Sequence, residues 1–395
     1  MTATSTAQSF QVLHSFGGPG DGFNPEWAGV NFDTRGNLYG TTFDGGTGPC
    51  DLTFGCGTVY EMMPNSNGTW TETVIHNFGL SDVASPLLGV AFDHHGNLYS
   101  TGESNGQTYT FGGVVELEPS CNGSWNERVL YDFDDADGAD PAGIVADNFG
   151  NLFVSVTNGG IFNAGLIFGL IAVSFDGHYP SDTYSFHGGL DGSGVYGALI
   201  LDRAGNLYGT TAGGGYGKAG TVFKLTRSSP QWDKTILHTF QGSDDGAYPW
   251  LGLAFDGAGN LYGTTLYGGS ANFGTVYRLT PTPDGNWNEN VIYAFQGGTD
   301  GQWPYGSVAV DGAGNVYGTT SFGGLGSSAY GTVFRLTPSG DGQWTKTILH
   351  TFSGPDGAFP DAGLTLDSEG NLYGTTNEGG AYQFQNGGVV FEITP

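Results

Sequence analysis

Positive charge is scarce in this chain. Ten Lys plus Arg stand against 38 Asp plus Glu in 395 residues, for a formal net charge of −28. Such a surface repels nucleic-acid phosphates and anionic lipid. It suits cations, or neutral ligands held by hydrogen bonds and stacking. Long apolar runs are also missing, which excludes a helical membrane span. No window carries a sustained apolar period of a helix. Cysteine is limited to three residues. Cys50 and Cys56 lie in one loop and are predicted to form a small disulfide, and Cys121 is left over. A zinc site needs more ligands in a tighter Cys/His pattern. The first residues, Met-Thr-Ala-Thr-Ser-Thr-Ala, lack the apolar stretch of a signal peptide. With so little lysine, Gly-rich loops and paired loop cysteines, the expectation is a secreted or cell-surface protein whose leader lies outside this sequence. A cytoplasmic protein is the alternative.

Glycine and aromatics are abundant: 73 Gly, 27 Phe, 20 Tyr and 8 Trp. This suits short strands joined by tight turns and disfavours helices. The segment Asp256-Gly-Ala-Gly-Asn-Leu-Tyr-Gly-Thr-Thr265 recurs seven times. Its Asn falls at Asn37, Asn97, Asn151, Asn206, Asn260, Asn315 and Asn371, with spacings of 60, 54, 55, 54, 55 and 56 residues. A near-constant period of this length marks a closed repeat array. In the fifth unit, alternating residues 251–256 read as an inner strand and 260–265 as a second. Residues 274–280 read as a third and 287–295 as a fourth. Four short antiparallel strands per repeat predict a blade of a β-propeller. The Asp-x-x-Gly-Asn segment reads as a turn: Asp bonds back to amides, Gly supplies positive φ and Asn tolerates it.

The chain ends on a third strand, Gly387-Gly-Val-Val-Phe-Glu-Ile-Thr-Pro395. It opens with Ser9-Phe-Gln-Val-Leu-His-Ser-Phe16, which matches the fourth strand Lys346-Thr-Ile-Leu-His-Thr-Phe352. The prediction is an all-β, seven-bladed β-propeller with four antiparallel strands per blade. Residues 1–8 are a disordered tail and 9–395 the propeller, with 9–16 completing the last blade and locking the ring. Closure removes free strand edges.

The repeated pattern Gly-Asn-Leu-Tyr-Gly-Thr-Thr-x-x-Gly-Gly, then Gly-Thr-Val-Phe-x-Leu-Thr-Pro, then Trp…Leu-His-x-Phe resembles the GloVer tandem repeat of bacterial extracellular proteins. Blades 2 and 3 depart most, with Asn97-Leu-Tyr-Ser-Thr-Gly and Asn151-Leu-Phe-Val-Ser-Val. The resemblance implies a secreted or surface-anchored propeller and carries no catalytic residues.

In a propeller, the crossing between blades and the loop between the second and third strands open on one face. Six positions before each blade's turn Asp stand Trp27, Leu87, Pro141, Tyr196, Trp250, Tyr305 and Asp361, predicted to rim the central mouth. Tyr248, Trp303 and Phe359 add aromatics just before a Pro. Two positions deeper stand Gly29, Gly89, Gly143, Ala198, Gly252, Ser307 and Gly363, which suit a crowded channel. Rings around a concave mouth suit sugars, whose C–H faces stack while hydroxyls bond to carboxylates and amides. The competing reading is that these rings pack on neighbouring loops.

Acids on this face concentrate in blades 7, 1 and 2: Asp44, Glu103 and Glu378 begin variable loops, and Glu26 and Asp361 enter inner strands. An acid pair opposite a stacking platform is what a glycosidase requires. The plainer alternative is solvated loop acids. The Asp-Gly pairs, such as Asp245-Gly246, read as turns that fix the blade crossings. Ca²⁺ on their carbonyls is the weaker alternative, since no complete calcium loop occurs. No cofactor is expected. The leading expectation is thus a monomeric, extracellular propeller binding a poly- or oligosaccharide through Trp27, Tyr196, Tyr248, Trp250, Trp303, Tyr305 and Phe359. The alternatives are a glycoside hydrolase or polysaccharide lyase using the acids, and a protein-interaction scaffold.

Overall fold

The computed structural model describes residues 8–48, 50, 54–79, 83–104, 111–134, 137–173, 177–228, 231–324, 329–382 and 387–395. The expected tail lies almost wholly outside the described residues. Seven four-stranded antiparallel sheets form the ring. In the last sheet Ser9–Ser15 pairs with Val389–Thr394, with Ser9 opposite Thr394 and Ser15 opposite Val389. The N-terminal strand therefore supplies the fourth strand of blade 7, as the sequence predicts.

Six of the seven inner strands are only two residues long; that of blade 3 runs from Ala139 to Ala146. In blade 5 the ladder is confined to Ala254–Phe255, because the upper part of this segment runs beside its counterparts in other blades instead of along its own second strand. A Cβ on Gly89 would stand 2.5 Å from the Gly29 carbonyl oxygen, and one on Gly143 2.7 Å from the Ala198 Cα. Only residues with little or no side chain fit there.

Each residue of the repeated motif has a distinct task. Asp256 accepts from the amides of Ala258 and Asn260 (2.9 Å each), from Asn260 Nδ2 at 2.6 Å and from the Tyr262 hydroxyl at 3.2 Å. Gly259, at φ 87°, closes the turn. The Gly of Gly-Thr-Thr makes room for a third-strand ring: a Cβ on Gly263 would lie 2.4 Å from the Tyr277 hydroxyl. The first Thr reaches the next blade, with Thr264 Oγ1 donating to the Gly306 carbonyl at 3.0 Å. The second ties two strands of its own blade, with Thr265 and Thr275 hydroxyls 2.8 Å apart.

Blades adhere mainly through rings. The Trp opening a fourth strand packs on the preceding blade: Trp70 on Tyr373, Trp125 on Tyr39, Trp232 on Phe153, Trp287 on Tyr208 and Trp344 on Tyr262, with centroids 5.4–6.5 Å apart. In six blades the His or Tyr near the end of the fourth strand meets the Asp of the following Asp-Gly crossing. His14 meets Asp21 at 2.9 Å, Tyr293 meets Asp300 at 2.5 Å and His350 meets Asp356 at 2.9 Å. The same Asp caps crossing amides, as Asp300 does for Gln296 at 2.7 Å. These carboxylates serve as turn anchors.

Removal of residues 1–17 should leave the blade 7 edge unpaired. The truncated chain is expected to unfold at a lower temperature than the parent and to associate. A synthetic peptide of residues 1–17 should restore the parental melting curve. Calorimetry with size-exclusion chromatography checks this, and an unchanged monomeric melt would contradict closure by this strand.

Candidate functional site

The mouth is built on a ring of backbone in an uncommon conformation. Just before the inner segments, Asn24, Ser85, Asp140, Gly194, Tyr248, Trp303 and Phe359 have φ between 54° and 69°. Every member but Gly194 precedes a Pro. For bulky side chains this left-handed region is unfavourable. One hydrogen bond to the previous blade and one within its own blade hold it. Tyr248 N donates to the Ala219 carbonyl of the previous blade at 2.8 Å, and its carbonyl accepts from Leu266 N at 3.1 Å. Trp303 does the same with Phe273 at 2.9 Å and Ser321 at 3.1 Å, and Phe359 with Tyr330 and Asn377, both at 2.9 Å. Backbone strain of this kind is found at ligand clamps and active sites. Read around the ring, these positions are polar or small in blades 1–4 and aromatic in blades 5–7.

Inside the ring, four of the expected rim aromatics meet one another. Tyr196 and Trp250 stack with centroids 4.1 Å apart and planes 11° from parallel. Trp27, from blade 1, reaches across the mouth to Trp250 of blade 5, edge to face at 6.1 Å. Tyr305 meets Trp250 on a further edge at 6.3 Å. All four are half-buried. They form one shared cluster. Trp303 and Phe359 belong to a second row, through Phe322 at 5.1 and 4.9 Å. Tyr248 is 44% exposed and packs on Tyr267 at 5.6 Å.

The channel beneath encloses a cavity of about 170 Å³, lined by Gly29, Gly89, Gly143, Ala198, Gly252, Ser307 and Gly363 among others. That is below the roughly 300–1,000 Å³ of ligand pockets. A groove of about 350 Å³ opens instead on the mouth face of blades 3–5. Tyr196, Tyr248 and Trp250 line it together with Asn158, Asn163 and Ser193. The amides and the hydroxyl were not anticipated from sequence, because the residue type at their places changes from blade to blade: Asn158 stands against Gly213 and Tyr267, and Ser193 against Ala247 and Gln302.

The acids gather on the other side. Burial pushes the Glu26 carboxyl up to about 7, and the neighbouring charges of Asp361 and Asp44 push the same way. Burial likewise raises Glu103 to about 7, with Asp140 and Glu26 adding to it. Asp361 is 9% exposed. Burial raises it to about 7 against the opposing hydrogen bonds of Ser321 and Asn377. Burial also raises Asp44, opposed by the Asn24 amide, which donates to it at 3.2 Å. Glu26 is thus the electrostatic hub among Asp361, Asp44 and Glu103. Glu378 enters only as a neighbour of Asp361. Asp140 was missed in the sequence. It holds the blade 3 place in the left-handed ring and accepts from Asn158 at 2.6 Å, so it joins the acids to the groove. Its position immediately before Pro141 was the available signal.

Chemically, the face offers an apolar aromatic floor beside amides, and a set of carboxyl groups able to hold or give protons near neutral pH. Cys50 and Cys56, in the long blade 1 loop, are joined by a disulfide with Cα atoms 5.8 Å apart.

The sequence model of the Gloeobacter/Verrucomicrobia repeat matches residues 1–200, 128–286 and 195–395. No curated protein matches the chain in sequence. Among solved structures, the chain is similar to a putative 6-phosphogluconolactonase from Bacteroides uniformis, at 14% identity and a TM-score of 0.56, covering 88% of each chain. It is also similar to a putative oxidoreductase (glucose dehydrogenase) from Thermus thermophilus, at 15% identity and a TM-score of 0.49, covering 98% of this chain and 100% of that one. A chain of the nidogen/laminin complex aligns at 17% identity and a TM-score of 0.43, over 72% of this chain and 87% of that one. At these identities the likeness concerns the fold alone.

The raised carboxyls set a sign for pH dependence. Glu26, Glu103 and Asp361 titrate at about 7 in the folded chain, against ordinary values of 4.5, 4.5 and 3.8. The folded chain therefore binds more protons than the unfolded chain across that window, and stability falls as pH rises through it. For Asp202, Asp256 and Asp311, burial opposes ionisation, but the turn hydrogen bonds outweigh it and hold them below 3.8. Their contribution is lost as pH falls below that value. The melting temperature should peak at about pH 4 to 5 and decline toward pH 8, and Glu26→Gln should make the decline shallower. A flat profile from pH 5 to 8 would contradict the electrostatic hub.

Proposed function

The chain belongs to the Gloeobacter/Verrucomicrobia repeat family, and from this footing we propose that it is an extracellular glycan-binding propeller whose site is the groove at the mouth of blades 3–5. One observation carries the reading: the stacked Tyr196–Trp250 pair lines a groove that Asn158, Asn163 and Ser193 also border. A pyranose presents an apolar face to a ring and hydroxyls to amides, and this combination is what the groove offers. The net charge of −28 favours a neutral or cationic saccharide over a polyuronic one. Location outside the cytoplasm is supported by the Cys50–Cys56 disulfide.

A second reading rests on Glu26. Its carboxyl titrates near neutrality beside Asp361 and Asp44, which suits a general acid next to a carboxylate in glycoside cleavage. In that case the groove would position the sugar chain and Glu26 would protonate the leaving oxygen.

Retention on a panel of insoluble plant and microbial polysaccharides, with release of reducing ends measured in parallel, separates the two. For binding, Trp250→Ala should weaken retention by about tenfold or more, in line with the loss of an aromatic contact, in a chain that still melts cooperatively although at a lower temperature. For catalysis, Glu26→Gln should abolish new reducing ends and leave retention intact. Parental retention by Trp250→Ala would dismiss the groove as the site.

A further inference from the structure

The seams between blades hold a polar cell that differs around the ring. Each cell combines the His or Tyr of one fourth strand, the Asp of the crossing that follows, and a residue on the next blade's fourth strand, four places before its own His or Tyr. In two cells that third residue is a lysine. Lys234 Nζ lies 2.9 Å from Asp191 Oδ1 and 4.5 Å from the centre of the Phe186 ring. Lys346 Nζ lies 3.0 Å from Asp300 Oδ1 and 4.7 Å from the Phe295 ring. Their side chains are only 4% and 5% exposed. In these cells a resident ammonium balances the carboxylate, and Tyr184 and Tyr293 complete the set.

At the seam between blades 7 and 1 the third residue is Glu72 and the ring is His14. His14 Nε2 is 2.9 Å from Asp21 Oδ2, and the ligand atoms of His14, Asp21 and Glu72 all lie within 4.8 Å of one another. Among the described residues, this is the one such group of three. Glu72 Oε1 is buried and has no hydrogen-bond partner there. Two carboxylates thus converge where the two lysine cells place a cation. A like-charge pair in this setting calls for positive charge between its members.

We propose that this cell is a divalent-cation site, with His14 Nε2, an Asp21 carboxylate oxygen and Glu72 as its protein ligands. An imidazole with two carboxylates suits a first-row ion such as Zn²⁺ or Mn²⁺ better than Ca²⁺, which prefers an all-oxygen shell. Ligand atoms about 2.0–2.2 Å from one ion stand roughly 3 to 3.6 Å apart. The His14–Asp21 separation already meets this, and Glu72 closes by a rotamer adjustment. On binding, His14 takes its Nδ1–H tautomer, the proton that Nε2 shared with Asp21 passing through solvent to Nδ1, and the Nε2 lone pair is then donated to the metal. The ion would tie the N-terminal strand of blade 7 to the fourth strand of blade 1, across the seam where the ring closes.

The test uses the full chain stripped with EDTA and dialysed against ZnCl₂ or MnCl₂, with bound metal counted by mass spectrometry and the melting temperature recorded. The parent should retain one ion per chain and melt at a higher temperature with it. Glu72→Gln should weaken retention by about tenfold or more. Glu72→Lys copies the lysine cells: it should retain no ion and melt at or above the metal-loaded parent, which also shows that the variant folds. His94→Ala/His95→Ala, which removes an exposed neighbouring histidine pair on another turn, should retain the ion as the parent does. The proposal is overturned if the parent retains no stoichiometric ion, if Glu72→Gln binds as tightly as the parent, or if removing His94 and His95 abolishes retention.

Discussion

Seven inner segments run toward one axis, and where they meet there is no room for side chains. A Cβ on Gly306 would stand 2.3 Å from the Ala362 carbonyl oxygen, and one on Gly197 2.7 Å from the Leu251 carbonyl carbon. This close approach has two consequences. It makes the channel too narrow to be a ligand pocket, so recognition must occur above it. It also sets how the chain enters each blade: the segment has to turn sharply over the rim before it descends. The left-handed residues at 24, 85, 140, 194, 248, 303 and 359 are where that turn is made. Their amides donate to carbonyls of the preceding blade, so the same feature that admits the inner strand also fixes the mouth.

That coupling explains why the mouth can vary without loss of the fold. The backbone hydrogen bonds at the left-handed positions do not use side chains. Asn24, Asp140, Tyr248 and Trp303 therefore share one conformation while presenting an amide, a carboxylate, a phenol and an indole. The unfavourable backbone energy, on the order of 1–3 kcal/mol per residue, is offset by two hydrogen bonds and by the packing of the neighbouring Pro against the preceding blade. A Cβ on Gly274 would lie 2.6 Å from Pro304 Cδ, which shows how tightly that Pro is seated.

Blade number, strand order and closure were legible in the sequence because each is repeated or matched. The Asp256 turn recurs seven times, and residues 9–16 align with a fourth strand found elsewhere. The acids too were legible, since Glu26, Asp361, Asp44 and Glu103 could be placed on one face by counting from a repeated landmark. The relation among the aromatics was not. Nothing in the spacing of Trp27 and Trp250 tells that two indoles from opposite sides of the ring touch. That depends on the width of the mouth measured against the length of a Trp side chain. The groove-lining amides escaped for a different reason: their loop has the same length as those of blades 4 and 5, but the residue type changes at the equivalent places, Asn158 against Gly213 and Tyr267.

The division of charge around the ring bears on what the mouth can bind. Eight of the ten basic residues, from Arg203 to Lys346, fall in blades 4–6. On the second and third strands, the residue paired with the motif Tyr is Glu61, Glu116 or Glu392 in blades 1, 2 and 7. It is Lys224, Arg278 or Arg335 in blades 4, 5 and 6. The acidic arc at the mouth is therefore continued through the body of the ring, where Arg128 pairs with Glu116 in blade 2. In the opposite arc, the aromatic floor rests on blades that carry Lys224, Arg278 and Arg335 at the equivalent place. A polar, uncharged ligand can lie on that floor without desolvating a buried charge, while any positive group it carries is drawn toward Glu26, Asp361 and Glu103. Such a field would orient an elongated ligand across the mouth, with its stacked end over Trp250 and its other end among the acids, where a reaction at Glu26 would have to occur.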